Sequence, residues 1–216
     1  MKTKANKPAK SNIAKMAIVG VLSAIAYLLM FMEFSVPLMP VFIKMDLSDF
    51  PALIGSLAVG PAGGIIIALI KNLLHLTVTS TGGVGELSNF ILNAVFILPA
   101  GLLYKKKKSK KSACGGAVLG AILMALVSVV SNYFVVYPVY YNFMPADTIL
   151  AAYQAIFPGV KSILQSLIVF NMPFTFVKAM ISVVITFFGI QSSGTDPDDE
   201  QTQRINSIEK GEQKNE

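Results

Sequence analysis

Five stretches of almost unbroken apolar residues constrain this chain more than any other feature: Ile13–Met32, Ala62–Val78, Leu87–Tyr104, Ala113–Tyr137 and Met172–Ile190. A helix needs about 20 apolar residues to cross a hydrocarbon core of roughly 30 Å, and these windows are of that order. With charged residues at 14% and a mean hydropathy of +0.63, the chain is too apolar to cover the surface of a soluble domain. It reads as an all-α integral membrane protein. The basic residues before Ile13–Met32 imitate a signal peptide, but that apolar stretch is too long for a typical h-region, so it is expected to be a retained helix. A further apolar piece, Phe50–Val59, is cut short by Gly60 and Pro61.

Lysines decide whether that short piece crosses. Positively charged short segments stay on the cytoplasmic side. Lys2, Lys4, Lys7, Lys10 and Lys15 precede or open the first window, and KKKKSKK at Lys105–Lys111 follows the third. Both ends of the region between them therefore belong inside, which requires an even number of crossings and makes Phe50–Val59 a short second helix. Six transmembrane helices with both termini cytoplasmic result. Domain boundaries follow: a basic tail at 1–12, a membrane domain at 13–190, and an acidic tail at 191–216 that carries DPDDE. Outside that tail the carboxylates are Glu33, Asp46, Asp49, Glu86 and Asp147, all on the outer side in this topology. Asp49 is expected to N-cap the short helix from the outer rim, with Pro51 in its first turn. Between helices five and six, DTILAAYQAIF and GVKSILQSLIVF are amphipathic and separated by Pro158-Gly159, which predicts two short helices over the outer mouth. A new helix is expected to start near Asn171 and Pro173.

Polar residues at membrane depth are the candidate site, because each is costly unless paired or facing a cavity. Lys178 lies about 10 Å down a helix that starts near Asn171. It is either a snorkelling lysine or a donor pointing into a ligand cavity. Asn132, in VVSNYFVVYPVYY, offers donors and an acceptor that suit the edge of a heterocycle or an interhelical hydrogen bond. Tyr133, Phe134, Tyr137, Tyr140 and Tyr141 would stack on a planar ligand or form an interfacial belt. Lys71 and His75 share a face of the third helix. With no second histidine in the chain they make a poor metal site, so packing and hydrogen bonding to Asn89 and Asn93 are expected instead. The single cysteine, Cys114, excludes an internal disulfide.

No phosphate-binding G-x-x-x-x-G-K-[ST] loop occurs, so the chain is not expected to hydrolyse nucleotide. Nor is a set of buried acids of the kind used by ion-coupled carriers expected. Uphill transport would then need a partner. Ala17, Gly20 and Ala24 in the first helix give small-residue spacing that lets another helix approach closely.

DLSDFPALIG, GPAGGIIIALIKNLLH, GELSNFI, the lysine-rich loop, NYFVVYPVYY and PFTFVKAMIS, in that order, resemble the riboflavin-specific substrate-binding component of energy-coupling factor transporters. The similarity spans roughly Ala14 to Gly189. It implies a protein that is not an enzyme and has no resident cofactor. Riboflavin is its cargo, held in an outer pocket, and its partners are the lipid bilayer, a transmembrane coupling protein and two ABC ATPases, with no nucleic acid. It also implies that Asn132 and Lys178 hold the flavin ring. Asp46 lies in the loop expected to close over the ligand. The candidate binding set is Asn132, Lys178, Asp46, Tyr141, Glu86 and Asn89; the candidate docking set is Ala17, Gly20 and Ala24. Flavin mononucleotide, with Lys44, Lys161 and Lys178 near its phosphate, and an autonomous facilitator are the alternatives.

Overall fold

A computed structural model describes residues 7–79 and 82–192. Helix α1 (Lys7–Phe31) leads into a small antiparallel hairpin, β1 (Phe34–Ser35) with β2 (Lys44–Met45), in which Phe34 faces Met45. Then come α2 (Asp49–Ala58), α3 (Pro61–His75) with a 3-10 turn at Leu76–Val78, and α4 (Val84–Lys106). The chain ends in α5 (Lys110–Tyr140), α6 (Ala146–Gln154) and α7 (Ile163–Gly189). Among the described residues five helices, α1, α3 with its 3-10 turn, α4, α5 and α7, are long and apolar enough to cross a membrane, and α2 is apolar but shorter. The first half of the basic tail, residues 1–6, and the acidic tail beyond residue 192 lie outside the described residues.

Helix α2 has 10 residues, about 15 Å of helix. It can be short because protein rather than lipid surrounds it: α1, α3, α4 and α7 all pack on it. Ala52 and Leu53 are fully buried, and Ser56 donates from Oγ to the Ile97 carbonyl at 3.1 Å. The residues before the helix, including Met45, Asp46 and Ser48, are buried in the same way. Asp49 is not the N-cap expected from the sequence. Ser48 occupies the cap without a side-chain capping bond, and Asp49 is the first helical residue, fully buried.

Two further expectations are corrected by the outer helix ends. No new helix starts at Asn171: Ile163–Gly189 is continuous, so only one separate helix, α6, lies in the outer connection. The signal that misleads is proline. Pro138 and Pro173 have no N–H for the carbonyl four residues back, and their rings collide with it, which normally stops or kinks a helix. Here the chain widens instead. π-helical segments, Asn132–Val136 and Leu167–Asn171, come just before the two prolines, with the Tyr137 N–H bonding to the Asn132 carbonyl and the Met172 N–H to that of Leu167. As a result α5 runs 31 residues and α7 27, about 46 and 40 Å, longer than a hydrocarbon core of roughly 30 Å.

The protruding ends of α5 and α7 carry a cap. Ile149 and Tyr153 of α6 are buried against Val136, Tyr137 and Leu167, with Phe42 and Ile43 of the hairpin loop packed on the same cluster. The main core sits below, formed by Leu53, Ile67, Phe96, Ile97 and Met124 with a series of alanines.

Helices α4 and α5 approach through glycines. A Cβ at Gly120 would sit 1.9 Å from the Phe96 carbonyl oxygen, whereas one at Gly115 meets nothing within 4 Å. Gly→Ala in a helix gains about 1 kcal/mol in propensity, but overpacking against backbone costs about 1–3 kcal/mol. Gly120→Ala should therefore lower Tm in detergent while Gly115→Ala leaves it unchanged or raised.

Candidate functional site

The loop between α1 and α2, together with α3, α4, α5 and α7, converges on two adjoining chambers. The outer one, about 360 Å³, is bounded by Phe31, Glu33, Phe42, Lys44, Asp46, His75 and Glu86. The deeper one, about 180 Å³, reaches Leu92, Met124, Asn132, Val136, Phe174 and Thr175. Gly85, Asn89, Tyr140 and Lys178 border both. Volumes of this order suit a small organic ligand.

Lys178 stands at the junction because α7 carries it inward past the cap. Its Nζ donates to Asp46 Oδ2 at 2.8 Å and lies 3.4 Å from Asp49 Oδ2. Its side chain is buried, so it does not snorkel. Asp46 reaches it from the segment between β2 and α2 and also accepts from the Ser48 N–H at 2.8 Å. Burial alone would raise the Asp46 carboxyl, but the Lys178 and Lys71 charges, with hydrogen bonds from Lys178 and Ser48, hold it well below the usual carboxylate range. It is ionised throughout the physiological range.

Behind this pair lies a second. Lys71, fully buried on α3, donates to Asp49 Oδ1 at 2.7 Å and to Ser48 Oγ at 2.6 Å, and Asn93 Nδ2 donates to the same Asp49 oxygen at 2.6 Å. Two carboxylates thus face two ammonium groups. The expected absence of buried acids is overturned here: Asp46, Asp49 and Glu86 are all buried. Asp46 and Asp49 have cationic partners, Lys178 and Lys71 respectively, and Glu86 is bonded to His75. The expected pairing of Lys71 and His75 with Asn89 and Asn93 is also replaced. Lys71 meets Asn93 only through Asp49, and His75 Nδ1 bonds Glu86 Oε1 at 2.8 Å while Thr79 Oγ1 donates to Glu86 Oε2 at 2.9 Å.

Of the candidate binding residues, Asn132, Lys178, Asp46, Glu86 and Asn89 line one or both chambers. Tyr141 does not: it is 39% exposed, and its neighbour Tyr140 takes the chamber wall. Periodicity could not separate two adjacent tyrosines next to a π segment, whose wide turn rotates every later side chain. Asn89 Oδ1 is buried with no hydrogen-bond partner among the described residues, an acceptor at the chamber junction. Sequence reasoning passed over Phe42, and over the rim ion pair between Lys44 and Glu33. Lys161, offered as a phosphate partner, borders neither chamber. Ala17, Gly20 and Ala24 are exposed along α1, and a Cβ at Gly20 would meet nothing within 4 Å. Among the described residues no group of three His, Cys, Asp or Glu side chains is placed to hold a metal ion.

Set against known proteins, residues 14–188 match the family described as "ECF transporter, substrate-specific component". The riboflavin transporter RibU of Staphylococcus aureus is 39% identical over 126 residues, 58% of this chain and 67% of that protein. The riboflavin transporter FmnP of Bacillus subtilis is 34% identical over 178 residues, 80% of this chain and 88% of that one. A solved structure described as the S component of a bacterial ECF transporter superposes with a TM-score of 0.67 at 30% identity, covering 84% of this chain and 95% of the other. The family match at 14–188 covers the helices that build the two chambers, and this chain belongs to the family of ECF transporter substrate-specific components.

Proposed function

We propose that this protein is the riboflavin-binding membrane subunit of an ATP-driven energy-coupling factor importer. The observation that carries the reading is its similarity to riboflavin transporters over 80% of the chain, on helices that line a cavity. The chemistry of the junction supports it. Asn132, Asn89 and Lys178 together present donors and acceptors to the edge of a planar heterocycle, with the Tyr140 and Phe174 rings beside them.

Riboflavin is favoured over flavin mononucleotide because the rim lysine, Lys44, is engaged by Glu33, and Glu86 and Asp46 add negative charge to the same wall. Placing a phosphate there would require displacing an existing ion pair. The α2–α3 turn supports six crossings with both termini cytoplasmic: Pro61 and Ser56 lie against Gly101, near the lysine-rich end of α4. In this reading the exposed small-residue face of α1, with Ala17, Gly20 and Ala24, receives the transmembrane coupling protein, and two ABC ATPases supply the energy.

Protein purified in detergent from a flavin-containing host should be yellow, and a colourless preparation that does not quench added riboflavin would contradict the assignment. Reconstituted alone, the chain should bind without accumulating riboflavin; accumulation without ATPase partners would make it an autonomous facilitator. Asn132→Ala should weaken riboflavin binding by about 1–3 kcal/mol, the cost of one unmet buried hydrogen bond, measured by fluorescence quenching.

A further inference from the structure

Lys71 touches neither chamber, yet its contacts orient Asp49 toward Lys178, which borders both. Both Lys71 Nζ and Asn93 Nδ2 donate to Asp49 Oδ1, at 2.7 and 2.6 Å. Their common hold leaves the other oxygen, Oδ2, turned toward Lys178 Nζ at 3.4 Å with no hydrogen bond of its own. Lys178 is therefore held between two carboxylates, at 2.8 Å from the one on the lid loop and 3.4 Å from the one on α2. The four charges balance. Without the Lys71 ammonium, two buried carboxylates would compete for one cation. Asp49, fully buried, would have the stronger need for it, since Asp46 sits at a chamber that water can enter. Lys178 would then be drawn toward α2, away from the chamber junction and from the lid.

We infer that Lys71 is a positioning residue of the ligand pocket, which acts through Asp49 to hold the Lys178 ammonium at the junction of the two chambers. Its charge thereby sets both what Lys178 presents to a ligand and how firmly Asp46 keeps the lid loop in place. The inference rests on the riboflavin reading above, since it assigns a role in that same pocket.

Riboflavin fluorescence-quenching titrations on the purified full chain test it with four proteins: unsubstituted, Lys71→Met, Lys178→Gln and the double variant. Lys71→Met should weaken binding about tenfold, within the range for residues coupled in one polar network. Introduced into Lys178→Gln, the same change should shift affinity less than about twofold, because the group through which Lys71 acts is gone. Lys71→Arg, which keeps the charge, should stay within about threefold of the unsubstituted protein. A residue that only supports the fold would weaken binding by the same factor in both backgrounds, and that result, or unchanged affinity in Lys71→Met, would overturn the inference. Should Lys71→Met not yield folded protein, Asp49→Asn/Lys71→Met is titrated instead: with no Asp49 charge to draw Lys178 away, its affinity should stay within about threefold of the unsubstituted protein, and a loss of about tenfold would overturn the inference. Absence of quenching by the unsubstituted protein would overturn the riboflavin reading and the inference with it. Equal factors with intact riboflavin binding would overturn the inference alone.

Discussion

Lys178→Met should be the most damaging single substitution in the described chain, removing high-affinity riboflavin binding and lowering stability by about 3–5 kcal/mol, the cost of leaving a buried charge without its partner. Methionine fills much the same space, so the loss is electrostatic rather than steric. Asp46 loses its 2.8 Å partner, and Asp49 is left to Lys71 alone. The two effects separate in Lys178→Met/Asp46→Asn, where the uncompensated carboxylate is gone. That double variant should regain part of the stability in thermal unfolding and none of the binding. If it regained both, the pair would be a structural device and not a ligand contact.

Tyr153→Ala should produce the second largest effect, about 3–5 kcal/mol for a large buried ring. Tyr153 is fully buried, its hydroxyl joins that of Tyr137 and donates to Asn171 Oδ1 at 2.7 Å, and its ring meets Phe42 and Phe170 at centroid distances of 6.0 and 5.3 Å. Burial and the neighbouring Tyr137 push the Tyr153 phenol well above its ordinary value, so it stays a neutral donor. Because Phe42 also bounds the outer chamber, losing the ring loosens the lid as well as the cap. Stopped-flow chase of bound riboflavin should show faster release. Tyr153→Phe, which keeps the ring and orphans the Asn171 oxygen, should cost only about 1–3 kcal/mol. A release rate unchanged in Tyr153→Ala would dissociate the cap from the lid.

Much of the site was legible because membrane depth makes polar residues expensive. That single rule picked out Asn132 and Lys178 from an otherwise apolar background, and both border the deeper chamber. Lysine placement made the Phe50–Val59 stretch a short crossing; a helix is there, Asp49–Ala58, apolar but shorter than the five long ones. What could not be read was pairing across helices. Asp49 and Lys71 are 22 residues apart and on different helices, and nothing local distinguishes an exposed capping aspartate from a buried one facing a lysine. In a soluble helix the polar face would reveal the rotation, but here the lipid-facing and core-facing sides of α4 and α5 are both apolar, as exposed Leu102, Leu123 and Leu126 beside buried Phe96 and Met124 illustrate. Proline misled for a different reason. Pro138 and Pro173 end helices in most contexts, but here π-helical turns come just before them and α5 and α7 continue to the cap. The same widened turn put Tyr140 rather than Tyr141 on the chamber wall.

On the riboflavin reading the chain by itself forms a flavin site in the chamber lined by Asn132 and Lys178. Equilibrium titration of the purified, flavin-stripped protein with riboflavin, and in parallel with flavin mononucleotide, tests it most directly. Saturable quenching at one riboflavin per chain is expected, with weaker binding of the phosphorylated flavin and affinity lowered at least about tenfold in Lys178→Met. Quenching that is absent, or equally strong in Lys178→Met, would contradict it.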